Sequence, residues 1–368
     1  MKVLMFSTDK NIFIEGSEVQ RRMVEYGSLV EELHIIIKSQ NLNLKSQNFR
    51  NVFVYPTNDR WKFLYFINAY KIGKKIISKL LITNYQLLIT CQDPFETGLV
   101  ACLLKRKFEL LLQVQIHTDF LSQYFWRESF KNKVRVFLAK QILKRVDNIR
   151  VVSERIKKSL ISELGISVGK VSVLAIFVDI EGIKNTEAAF DLHKKYPGKF
   201  IILMASRLTK EKNIDLALEV MRGVIKQHPS VLLLIVGDGP EREALKLQIT
   251  NYKLQKNVVL EPWTNNLSSY YKTADLFLLT SNYEGYGRTV VEAMAAGLPV
   301  VMTDVGLAVG SVVPVGDKDL LTQRLNYLIE NKFARENILN GQIKVLGLYD
   351  TKEVYLNLIK KSWENCFL

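Results

Sequence analysis

Cysteine, proline and long apolar runs are scarce in this chain. Its 368 residues include three cysteines, eight prolines and four histidines. Cys91, Cys102 and Cys366 form no CxxC pair and are too scattered for a disulfide framework, which suits a reducing compartment. No apolar run approaches the ~18 residues of a membrane span, and Met1 to Phe6 meets polar Ser7 too soon for a signal-peptide core. The expected location is the cytoplasm, either free or peripheral at the inner face of the membrane. Glycine-, serine- or proline-rich stretches and internal repeats are absent as well, which excludes a disordered or solenoid chain.

What is present is ordinary globular composition, 48% hydrophobic and 24% charged, over a length that favours two domains. The net charge of +14 is uneven. Residues 1–180 hold 28 Lys and Arg against 16 Asp and Glu, while residues 181–368 hold 23 against 21. The first half therefore points to an anionic partner such as a membrane face or an acidic acceptor. Nucleic acid is not expected, because no recognised DNA- or RNA-binding motif accompanies the charge.

Short β-branched or leucine-rich runs alternate with longer amphipathic, lysine-bearing stretches, the pattern of βαβ units around parallel sheets. Strands are expected at 2–6, 33–37, 52–55, 87–90, 111–116, 149–153 and 171–175, and then at 200–205, 231–236, 258–260, 276–280 and 299–303. The expected domains are 1–180 and 181–350, with 351–368 a C-terminal helix that packs back toward the first. The fold class is α/β, with two Rossmann-like domains whose parallel sheets face across a cleft. Ligands of such sheets bind beyond the carboxyl ends of the strands, so the strand-to-helix loops are the places to search.

Three loops carry chemistry. After the strand at 200–205 comes Ser206-Arg207-Leu208-Thr209-Lys210-Glu211-Lys212-Asn213, in which Arg207 and Lys212 lie where a diphosphate would dock; a solvated helix start with incidental charge is the alternative. Next, Val236-Gly237-Asp238-Gly239-Pro240-Glu241 ends a strand in a turn whose Gly237 and Gly239 permit close approach by a ligand, or form a plain β-turn. The third segment, 281–301, carries Glu284, Gly285, Tyr286, Gly287, Arg288 and Thr289 and then Glu292 on an alanine-rich helix stopped at Gly297. A carboxylate among small apolar neighbours needs hydrogen-bond donors, and ribose hydroxyls would serve for Glu292. Glu284, beside a helix N-terminus, is placed to grip a sugar hydroxyl; a capping Glu and a buried structural Glu are the alternatives.

Taken together, Glu284-x7-Glu292, SRLTKEKN and VGDGPE resemble glycosyltransferase family 4, retaining enzymes of the GT-B fold, and the resemblance covers nearly the whole chain. It implies that Arg207 and Lys212 bind the diphosphate of a nucleotide-sugar donor, Glu292 the ribose and Glu284 the transferred sugar. It also implies that Tyr286, Gly287, Arg288 and Thr289 line the donor through backbone contacts, and that Trp263 lies beside the base. In the first half, Gly16 matches the family's glycine loop near the donor phosphates. His117 resembles the histidine that reaches the reacting sugar, with Asp119 as its companion.

The chain departs from the family in three places. Ala175 to Asp179 replaces the usual Pro-Asn-Gly-Val-Asp turn, the loop after Gly306 is visibly shortened, and Pro262 and Trp263 stand where a glycine is usual. The D-x-D of Asp317-Lys318-Asp319 reads as a helix cap, so no metal and no cofactor are expected.

The function this implies is transfer of a hexosyl unit with retention to a saccharide, lipid-linked or other acceptor, in cell-surface polysaccharide or glycolipid synthesis. A catalytically silent scaffold and a sugar-nucleotide epimerase are the alternatives. Two basic stretches with aromatic residues, 61–81 and 125–145, would meet an anionic membrane surface or else be core-facing helices with solvated backs.

Overall fold

The computed structural model describes residues 1–83, 86–349 and 351–368. The chain divides into two compact units, Met1–Ala175 with Lys352–Leu368, and Ile176–Thr351. Asp350, where the second domain was expected to end, lies outside the described residues.

The first unit is built on eight strands: β1 (Lys2–Ser7), β2 (Glu32–Ile37), β3 (Gln47–Phe49), β4 (Val52–Pro56), β5 (Leu87–Cys91), β6 (Leu111–Ile116), β7 (Asn148–Val151) and β8 (Val171–Val173). Their order across the sheet is β3-β4-β2-β1-β5-β6-β7-β8, parallel throughout except at β3. All six residues of β1 are buried, as a strand covered by helices on both faces requires. Where the helix Leu64–Leu80 meets the helix Glu96–Phe108, a Cβ on Gly73 would stand 2.6 Å from Leu104 Cδ1, so the absence of a side chain sets how closely they pack. The C-terminal helix Lys352–Glu364 belongs to this unit: Trp363 and Ile359 are fully buried in its core, and Trp363 meets the Tyr26 ring edge-on at 6.1 Å.

The second unit contains β9 (Phe200–Ala205), β10 (Val231–Val236), β11 (Val258–Glu261), β12 (Leu276–Leu279), β13 (Val300–Thr303) and β14 (Ser311–Val313), ordered β11-β10-β9-β12-β13-β14 and all parallel. Strand order reverses between β9 and β12. That is the switch point at which two successive loops part to opposite faces and leave a crevice at the carboxyl edge. Helix Ile214–Gln227 buries Leu216, Ala217, Val220, Met221 and Val224 against this sheet. From β13 to β14 only seven residues intervene, and Gly306, Ala308 and Gly310 all take positive φ. A parallel pair usually needs a longer, helical crossover; three left-handed residues turn the chain back without one.

The basic stretches are helical in part. Residues 123–128 and 130–143 form two helices separated at Ser129, whose hydroxyl accepts from Asn132 N. The second buries Val136, Ala139, Ile142 and Leu143 yet leaves Phe130, Val134 and Phe137 exposed at 80%, 43% and 63%. Trp61, Phe63 and Ile67, at the start of the other stretch, are exposed as well.

Candidate functional site

The loops after β9 and β12 are tied at the switch point. Thr280 Oγ1 donates to the carbonyls of Lys212 (3.0 Å) and Asn213 (2.9 Å), Asn213 Nδ2 donates to Asn282 Oδ1 (3.0 Å), and Asn282 N donates to Glu211 O (2.8 Å). These bonds set the two side chains that matter. Lys212 Nζ lies 2.5 Å from Glu284 Oε1, and the same oxygen accepts from Ser281 Oγ at 2.8 Å. Both side chains are nearly enclosed, 14% and 13% exposed. Arg207, the other expected cation, is 76% exposed and rests 3.4 Å from Glu211, so it is free to swing while Lys212 is held.

Helix Arg288–Ala295 begins immediately beyond. Its N-cap, Gly287, sits at φ 99 and offers no side chain, and Asn213, the N-cap of Ile214–Gln227, makes no side-chain cap bond. Two helix N-termini therefore open at the switch point without a side-chain cap bond, and of the two only Ile214–Gln227 carries a carboxylate, Asp215, in its first turn.

Glu292 is held from both sides, by Arg288 Nε at 2.8 Å and by the Tyr271 hydroxyl at 3.1 Å. The donors its position demanded are thus supplied by the protein. Burial, and then the Glu292 charge, push the Tyr271 phenol far above its ordinary range, so it stays protonated and can donate. Tyr286 is buried, with its hydroxyl 2.5 Å from that of Tyr349. Thr289 is half-buried on the first turn of the helix.

The glycines after β10 have a different use from the one expected. A Cβ on Gly237 would stand 1.9 Å from Ser206 O, and one on Gly239 would stand 2.3 Å from Leu208 O. Their N–H groups are also engaged, with Glu261 O (3.1 Å) and Asp238 Oδ1 (2.8 Å). The close approach is therefore by the Ser206–Leu208 backbone. What Gly237 and Gly239 do is lay the Arg207 loop against β10.

Trp263, after β11, is 52% exposed. Just before it Glu261 anchors a cluster that sequence reasoning missed, accepting from Lys195 (2.5 Å), Tyr196 (2.9 Å) and Tyr270. Burial opposes its charge, but these donors hold the carboxyl below the usual range. Asp317 caps the helix Lys318–Glu330, accepting from Leu320 N at 2.9 Å.

Gly16 and His117 belong to the first unit. Gly16 has φ 71 with open space around it, and its N–H donates to Gln20 Oε1 at 2.9 Å. His117 follows β6, exposed, with Nε2 3.3 Å from Gln115 Oε1. The protein around the ring, then the Arg150 and Arg22 guanidiniums, favour its neutral form. Nearby, burial pushes the Asp119 carboxyl up to about 6, against the pull of Arg155.

Sequence and structure comparisons agree with one another. Residues 185–344 match the family model described as glycosyl transferases group 1, and residues 31–181 match that of glycosyltransferase family 4. The chain is 28% identical over 231 residues to the alpha-monoglucosyldiacylglycerol synthase of Streptococcus pneumoniae, covering 59% of this chain and 52% of that protein. It is 27% identical over 225 residues to the UDP-Gal:alpha-D-GlcNAc-diphosphoundecaprenol alpha-1,3-galactosyltransferase of Escherichia coli, covering 55% and 58%. The chain thus spans little more than half the length of these curated relatives. HepE of Anabaena, solved in complex with UDP and glucose, superposes with a TM-score of 0.74 at 18% identity over 99% of this chain and 100% of that one, which shows the GT-B fold.

Proposed function

The chain belongs to the group 1 and family 4 glycosyltransferases, and on that premise we propose that it moves a hexosyl unit from a nucleotide-diphosphate sugar to an acceptor, with retention of anomeric configuration. The observation that carries this reading is the Lys212–Glu284 pair at the β9/β12 switch point, with two uncapped helix N-termini beside it. Cation, carboxylate and positive helix ends at one edge suit a ligand with a diphosphate at one end and sugar hydroxyls at the other.

In this reading the diphosphate recruits Arg207 and draws Lys212 from Glu284, whose freed carboxylate accepts from the transferred sugar. Glu292 exchanges a protein donor for ribose hydroxyls. Backbone of Tyr286, Gly287, Arg288 and Thr289 lines the donor, with Trp263 beside the base and His117 and Gly16 serving from the first unit. The leaving diphosphate is stabilised by these preorganised charges, with no metal ion required. The sequence offers no evident protein nucleophile, and a front-face substitution fits: the bond from the anomeric carbon to phosphate oxygen breaks, the acceptor oxygen bonds on the same face, and its proton passes to the departing phosphate.

The acceptor is a lipid-linked or other glycan of cell-surface polysaccharide or glycolipid synthesis, as the two relatives' activities suggest. An anionic membrane is the matching partner. Phe130, Val134 and Phe137 repeat at i, i+4 and i+7 on one exposed stripe, with Lys131, Lys133 and Lys140 on the same helix. The test is calorimetry against UDP, GDP, ADP and their sugars, with and without EDTA, on the wild type and Arg207→Ala. One preferred nucleotide, bound equally in EDTA and weakened in the variant, is expected. Failure to bind any of them would leave a silent scaffold, and release of an altered nucleotide sugar without acceptor an epimerase.

A further inference from the structure

In the first unit, Gln115 and Arg150 pair side by side across β6 and β7 at the carboxyl edge of the sheet. Both are buried, at 2% and 4% exposure. Arg150 Nη2 donates to Gln115 Oε1 at 2.5 Å, and that is the guanidinium's one hydrogen bond among the described residues, since Nε and Nη1 have no partner. A guanidinium only donates, so the Gln115 atom facing it must be the carbonyl oxygen, and the amide orientation is fixed. The opposite end agrees: Gln115 Nε2 donates to the buried Thr90 Oγ1 at 2.9 Å.

The consequence falls on His117. Its Nε2 lies 3.3 Å from the same Gln115 Oε1, an atom that accepts and cannot donate. Nε2 must therefore carry the proton. In a neutral imidazole that leaves Nδ1 as a bare acceptor. Two guanidiniums, Arg150 and Arg22, act on the ring, and both oppose a second proton. A buried arginine with two orphaned donors and, among the described residues, no hydrogen-bonded carboxylate is costly to keep, and such features concentrate where function requires them.

We propose that Arg150 and Gln115 are positioning residues that hold His117 as its neutral Nε2–H tautomer, so that Nδ1 receives a substrate hydroxyl and disfavours an oxyanion. This rests on the reading above for the identity of the substrate, a neutral hexose whose hydroxyl donates to the ring. A uronic acid would set carboxylate oxygens against the Nδ1 lone pair at that position.

The experiment is long-range 1H–15N NMR of the histidine-labelled full chain, free of substrate, in the wild type and in Gln115→Met, Arg150→Met and Arg150→Lys. The wild type is expected to show His117 with a protonated Nε2 and a bare Nδ1. Gln115→Met and Arg150→Met are expected to mix the tautomers, and Arg150→Lys, which keeps a cationic donor, to retain the wild-type signature; should Arg150→Met not fold, Gln115→Met and Arg150→Lys decide. A wild type protonated at Nδ1, or a tautomer unchanged in Gln115→Met, overturns the proposal.

The second arm is turnover of the nucleotide sugar that binds in calorimetry. Loss of the Nδ1 acceptor from part of the molecules predicts a lower kcat/KM in Gln115→Met, by up to about tenfold, the worth of one neutral hydrogen bond. Unchanged kcat/KM with a mixed tautomer would also overturn it. A wild type that binds and turns over no nucleotide sugar fails the functional reading instead, and the NMR arm still decides the tautomer.

Discussion

Lys212 Nζ and Glu284 Oε1 lie 2.5 Å apart although 72 residues separate them, because β9 and β12 are neighbours in the sheet and both loops leave its carboxyl edge. Each charge is enclosed, so removing one strands the other. Lys212→Met is expected to lower unfolding stability by about 3 kcal/mol, and the double variant Lys212→Met/Glu284→Gln to cost clearly less than the sum of the singles. Urea midpoints of the four proteins check this, and strict additivity would refute a direct coupling.

Glu292 is held by Arg288 and Tyr271, and in the proposed reading ribose hydroxyls replace one of these donors. Glu292→Ala removes a charged acceptor worth about 1.5–3 kcal/mol, so nucleotide-sugar affinity should fall by roughly one to two orders of magnitude. An unchanged dissociation constant would sink the ribose assignment.

Gly306 sits at φ +54, and a Cβ there would come within 2.5 Å of Tyr286 O. Gly306→Ala should cost about 1–3 kcal/mol from the left-handed backbone alone, with the steric conflict added. Because Tyr286 precedes the helix cap Gly287, nucleotide binding should weaken too. Thermal unfolding with and without nucleotide reads both effects, and a variant as stable as the wild type contradicts the account of the short β13–β14 connection.

Burial pushes the Asp119 carboxyl up to about 6 in the folded protein, against about 3.9 in the unfolded chain. The native state thus keeps a proton that the unfolded chain releases, and stability falls as pH rises from about 4 to about 6. Asp119→Asn removes that slope. Relative to wild type, it should gain stability between roughly pH 4.5 and pH 7 by at most about 3 kcal/mol, less to the extent that water screens the half-buried carboxyl. Parallel denaturation curves at the two pH values would argue against the shift.

Phe130 and Phe137 are exposed at 80% and 63%. Moving one Phe out of water is worth about 1.5–3 kcal/mol, so Phe130→Glu/Phe137→Glu should weaken association with phosphatidylglycerol vesicles at least about tenfold. Vesicle sedimentation decides the matter; equal partitioning of variant and wild type removes the membrane from the reading.

Strands whose burial is complete were legible in the sequence. Each of the twelve expected strands is present: those buried on both faces, such as Val231 to Val236, are apolar with few interruptions, while β4 alternates buried and half-buried residues. The two strands not expected, β3 and β14, have three residues each. Gln47-Asn48-Phe49 is a mostly exposed edge, where polar residues are tolerated, and Ser311–Val313 is placed by a chain reversal and carries no period of its own. Gly237 and Gly239 were legible as places of close approach but not as to what approaches, since the Ser206–Leu208 backbone comes from another loop.

By itself the sequence determined the two parallel α/β sheets and which loops carry charge, glycine and carboxylate, because hydrophobic period and turn chemistry are local. Which side chains meet was decided only by the tertiary structure. Lys212 meets Glu284, Tyr271 meets Glu292, and Arg150 fixes Gln115 against His117, because strand order makes neighbours of residues far apart in the chain, and no local pattern encodes that order.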